Sequence, residues 1–83
     1  EQAGPAMPTN DRNNPRTLEG IHEKIRAIAN AKSLAQAQFD HAYQLGWIGA
    51  LYWADIIDLD MRNQLTAEVA DALKALWLRV WVD

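Results

Sequence analysis

The sequence predicts an all-α fold, a small helical bundle built on an antiparallel helical hairpin, and three observations carry that prediction. Apolar and small residues recur at alternating spacings of four and three, from Ile21 to Ile56 and again from Met61 to Val80. That is the period of helices packing on helices. No run of comparable length alternates with period two, so nothing asks for a strand. Good N-cap residues stand where the periodic runs begin, at Thr17, Ser33 and Asp58. The predicted helices are about 17–30, 33–55 and 59–80.

Thr17 is placed at the first start because Glu19 suits the positive end of a helix dipole and Pro15 discourages an earlier one. The stripe then reads Ile21, Ile25, Ile28, Ala35, Phe39, Ala42, Gly46, Gly49, Trp53 and Ile56, interrupted only by Lys32. Two arrangements satisfy it. An unbroken register makes the first two helices one rod of about 60 Å at 1.5 Å per residue. Ser33 with Gln36 makes a capping box, which favours a break near 30–33. Asp58 caps the last helix, with Asp60 in its first turn and Met61, Leu65, Val69, Ala72, Leu76 and Val80 along its stripe.

Folding the hairpin about Ile57 sets Gly49 opposite Leu65, Gly46 opposite Val69 and Ala42 opposite Ala72. Small residues facing larger ones allow close approach and account for two glycines inside a helix, each of which costs about 1 kcal/mol against Ala. The other reading makes Gly46 a helix C-cap. Residues 1–16 hold all three Pro and three Asn and form a predicted disordered arm, leaving 17–83 as the helical domain. Gly4-Pro5-Ala6-Met7 reads as a protease-site remnant joined to a start codon. That sets 1–6 outside the native chain, although a native or trimmed terminus reads the same way.

A chain of 83 residues makes one small domain, and small domains often need a disulfide, a metal or oligomerisation to bury enough surface. There is no Cys, which rules out disulfides and suits a reducing, cytoplasmic setting. His22 and His41 are too far apart for a local metal site. No secretory n- and h-region is legible near the N-terminus. The longest apolar stretch, Leu45 to Ala54, falls short of the roughly 18–20 residues of a membrane span.

Net charge is −3 and unevenly spread, at +1 over residues 1–33 and −4 over 34–83. Phosphate binding by the whole domain is therefore disfavoured. Arg12, Arg16, Lys24, Arg26 and Lys32 could still touch a nucleic-acid backbone as a basic strip, without aromatics for base stacking. On a helix surface they equally make local pairs with Glu19 and Glu23.

The densest apolar run, Leu45 to Ile57, carries one charge, Asp55. A helix apolar all round is normally buried, and one or two neighbours in a chain this short cannot enclose every side. Gly46, Gly49 and Trp53 are assigned to the hairpin, leaving Trp47 and Leu51 uncovered. Trp77 and Trp81 repeat the excess near the chain end. Intermolecular burial, as a homo-oligomer or a partner site, is weighed above a monomer core. Peripheral membrane contact is disfavoured by acidic flanks. Tyr43, Trp47, Leu51, Trp77 and Trp81 are the predicted interface anchors.

Catalytic and metal chemistry find little support. Asp55, Asp58 and Asp60 lack the turn Gly and bidentate Glu of a calcium loop, and helix capping explains two of them. His22 reads as part of a solvated helix face, and His41 beside Asp40 as a local hydrogen bond. The only Ser, Ser33, is better spent on a cap than as a nucleophile, and none of Thr9, Thr17 or Thr66 is placed suggestively. No cofactor site is legible. The function expected is a non-catalytic protein-interaction or oligomerising module, a small regulatory or accessory protein. The alternatives are a nucleic-acid-associated regulator using the basic arm, and a mobile-element-encoded inhibitor docking onto a host complex.

Overall fold

In a computed structural model, residues 12–82 are described and form three helices, α1 (Pro15–Ala29), α2 (Leu34–Trp53) and α3 (Leu59–Val82), with no strand among them. The expected arm lies outside the described residues as far as residue 11.

Helix α1 begins two residues before the predicted Thr17. Asn14 is its N-cap, accepting from the Arg16 amide at 2.9 Å, and Pro15 occupies the first helical position. A first-turn proline has no N–H to waste and a φ already set for the helix, so Pro15 starts α1 rather than delaying it. Asn30 closes the helix by donating its side-chain amide to the Arg26 carbonyl. The chain then breaks over residues 30–33, and Ser33 caps α2 by accepting from the Gln36 amide at 3.1 Å. Gln36 turns its own amide towards Asp40 instead of back to Ser33.

Helix α2 ends in a Schellman motif. The Ile56 amide donates to the Leu51 carbonyl and the Asp55 amide to the Tyr52 carbonyl. Asp55 sits at the left-handed position, φ 64°, that glycine usually takes. Gly46 is interior to α2 and caps nothing. Asp58 then caps α3, accepting from the Met61 amide at 2.8 Å.

Three contacts fix the relation of α1 to α3. Asn13 meets Asp58, His22 meets Glu68 at 3.0 Å, and Arg79 donates to the carbonyls of Ala29 and Ala31. Both helices therefore run in the same sense. The core between them is Ile21, Ile25 and Ile28 of α1, Ala37, Ile48 and Leu51 of α2, and Leu65, Val69, Ala72 and Leu76 of α3, sealed by Ile57 of the α2–α3 turn.

Asn13 locks the segment before α1 onto that turn. Its backbone amide donates to the Ile56 carbonyl, its side-chain amide donates to Asp58 Oδ2 at 3.0 Å, and its side-chain oxygen accepts from the Asp58 amide at 3.1 Å. Asn13 is also left-handed, φ 60°, where Asn is among the best-tolerated residues. Asn13→Ala removes both side-chain bonds and strains the backbone, for an expected loss of about 1–3 kcal/mol by chemical denaturation. Asn13→Gly keeps the backbone conformation and should lose less.

The same clasp makes stability depend on acid. The Asp58 carboxyl is held below its usual 3.8, first by the Met61 amide, then by the Asn13 side chain and more weakly by the Arg12 charge. A carboxylate whose folded pKa is depressed contributes stability that is complete above the unfolded value and lost as pH falls through the folded one. Thermal melts should therefore show a loss beginning near pH 3.8 and growing below it. Asp58→Asn should flatten that part of the profile.

Candidate functional site

Helix α2 carries two stripes with the same four-and-three spacing. One is Ala37, His41, Gln44, Ile48 and Leu51; the other is Ala35, Phe39, Ala42, Gly46, Gly49 and Trp53. They are offset by two residues, about 200° around a helix, and so lie on opposite sides. The first stripe faces α1 and α3, with Ala37, Gln44, Ile48 and Leu51 buried. The second, assigned to the hairpin on sequence grounds, faces outward.

Phe39, Tyr43 and Trp53 are 65%, 63% and 86% exposed. Gly46, Ala42 and Ala50 are exposed beside them, and Gly49 is half-buried. A Cβ added at either glycine would meet nothing within 4 Å among the described residues, so neither serves a close approach to α3. The proposed pairs of Gly49 with Leu65 and Gly46 with Val69 are thereby corrected.

Of the predicted anchors, Tyr43 stands in the outer face, stacked on Phe39 with ring centres 6.4 Å apart. Trp47 borders that face, partly exposed. Leu51 is only 9% exposed and belongs to the core. Its assignment to an interface is corrected, because the inner stripe already uses it. Trp77 and Trp81 pack on each other, centres 5.7 Å apart, on the last turns of α3. Trp81 is 70% exposed, and past Leu76 no described α3 side chain is buried. The one charge in these turns, Arg79, is engaged by the carbonyls that end α1.

Sequence reasoning placed Phe39 and Trp53 inside. The signal that places them outside is the break at 30–33. Helix phase does not carry through non-helical residues, so the α1 stripe says nothing about which α2 stripe points inward.

The polar candidates are spent locally. Arg12, half-buried, pairs at 3.2 Å with Asp55, which is largely in solvent. His22, expected on a solvated face, is half-buried against Glu68. Arg16 and Arg26 share an open depression with Glu19 and His22, where the charges are of both signs. Among the described residues no three His, Asp or Glu side chains converge as a metal site would require, and no helix is long and apolar enough to cross a membrane.

Over the described residues the fold is an all-α domain of three helices, with exposed aromatics on the outer side of α2 and on the last turns of α3. No known protein family, curated protein or solved structure matches the chain.

Proposed function

We propose that this chain, with α2 running back against α3 as an antiparallel hairpin, is a non-catalytic module that works by binding protein through its outer aromatic surfaces. The observation that carries the reading is the exposure of Phe39, Tyr43 and Trp53 on a helix whose only acidic or basic side chains are Asp40 and His41. Exposed apolar faces of this kind mark association sites, and Tyr and Trp dominate binding energy at them. The last turns of α3, with Trp77 and Trp81, offer a second such surface. Partial exposure of Trp47 fits a place at the rim.

The test is light scattering coupled to size exclusion on the full chain, together with capture of protein on the immobilised chain. The comparison is a variant carrying Tyr43→Ala, Trp47→Ala, Trp77→Ala and Trp81→Ala. Association or capture by the parent, lost in a variant of unchanged helicity, supports the reading. A parent that stays monomeric and retains no more protein than the variant removes it.

A further inference from the structure

The outer face of α2 is complementary to itself, and we infer that its occupant is a second copy of the chain, docked antiparallel about a two-fold axis at Gly46. This rests on the protein-binding reading above and names its partner.

Two glycines in the middle of a helix cost about 1 kcal/mol each relative to Ala. Among the described residues nothing occupies the space a side chain would take at Gly46 or Gly49. Ala42, Gly46 and Ala50 stand one turn apart and form a ridge of small residues along the exposed side. Such a ridge lets two helix backbones approach closely. An antiparallel two-fold axis brings residues equally far from its centre to the same level. Centred on Gly46, it sets Tyr43 level with Gly49 of the second copy, Ala42 with Ala50, and Phe39 with Trp53. Each tyrosine then lies over the space that the other helix leaves open at Gly49 and Ala50, and the four outer aromatics Phe39 and Trp53 close the two ends.

A parallel arrangement offers none of this. It would set Tyr43 against Tyr43 and leave the glycines facing each other.

Charge and area agree with a second copy. Asp40, the one carboxylate of α2, lies about 120° around the helix from Gly46, so the face itself has no charge with which to select an acidic or basic partner. Phe39, Tyr43 and Trp53 present on the order of 400 Å², at about 150–250 Å² per aromatic side chain. A standard interface takes about 800 Å² from each partner. Three side chains thus supply roughly half, with the ridge and Trp47 beside them, and the expected dimer is one that dissociates on dilution.

The test uses the full chain and three single substitutions. Light scattering should give the parent twice its 9.4 kDa mass at high concentration, falling on dilution. Gly46→Leu should raise the dissociation constant at least tenfold while keeping or increasing helicity and melting temperature, because its side chain is open in the monomer and blocks the crossing. The chain has no Cys, so single cysteines report register cleanly. Gly46→Cys should cross-link on oxidation, since a disulfide needs Cα atoms about 4.4–6.8 Å apart. Phe39→Cys should not, whereas in a parallel pair it would.

A monomeric parent overturns the dimer. So does a parent dimer that Gly46→Leu leaves intact, and so does cross-linking through Phe39→Cys. In the last two cases the protein-binding reading survives through another surface. A monomeric parent that still captures protein through its aromatics also leaves that reading standing.

Discussion

Ile48→Ala is expected to cost about 2–5 kcal/mol, the range for emptying a fully buried aliphatic site. Ile48 is fully buried on the inner stripe of α2, between the isoleucines of α1 and the Leu65–Leu76 side of α3. A domain of 83 residues has a total stability on the order of 4–12 kcal/mol. At about 4–8 °C per kcal/mol for domains of this size, a 3 kcal/mol loss lowers the melting temperature by roughly 12–24 °C. Trp53→Ala removes a much larger side chain one turn further on. Because Trp53 is 86% exposed, the expected change is within about 0.5 kcal/mol when both proteins are melted at high dilution. The pair tests the rotation of α2 directly. Were the stripe through Phe39, Gly46 and Trp53 the inner one, the order of the two effects would reverse.

Gln44→Leu is expected to stabilise the protein by about 1–3 kcal/mol. Gln44 is the one buried polar side chain among the described residues, 4% exposed in the middle of α2's inner stripe, and its Oε1 has no hydrogen-bond partner. A buried acceptor left unpaired carries its desolvation cost, about 1–3 kcal/mol, without return. Leucine is of similar reach, adds apolar contact and is a better helix former's equal. Melting should rise by roughly 4–24 °C, at the same 4–8 °C per kcal/mol. Gln44→Glu should act in the opposite direction and more strongly, since it places a charge at the same point. A Leu variant less stable than the parent would mean that Gln44 finds a partner for its carbonyl oxygen in solution.

Such a buried, unpaired carbonyl oxygen is not legible in the sequence. Gln44 lies between Tyr43 and Leu45, and the stripe read through Phe39, Ala42, Gly46 and Gly49 omits it. Only the packing of α1 and α3 against that side of α2 makes it interior. The same packing moves Leu51 from the expected interface into the core and frees Phe39 and Trp53 to the outside. Tyr43, Trp77 and Trp81 were legible as exposed aromatics because each exceeds what its own helix face can enclose. That the core ends at Leu76 and leaves Val80, on the expected stripe, exposed was decided only by the structure.

What the sequence determined by itself is local. Helix content, the cap at Ser33 and the cap at Asp58 follow from periodicity and from side chains that bond amides three residues away. Helix α1 starts two residues before Thr17 because Pro15 can begin a helix as well as prevent one. What only the tertiary structure decided is non-local. The clasp of Asn13 on Asp58 and the reach of Arg79 to Ala29 join residues 45 and 50 positions apart. The facing of α2 belongs with them. Two stripes of equal period and opposite direction run along that helix, and periodicity cannot choose between them. The choice falls to volume and shape: the inner stripe offers Ile48 and Leu51 to fill the space between α1 and α3, and the outer one offers glycines that would leave it empty.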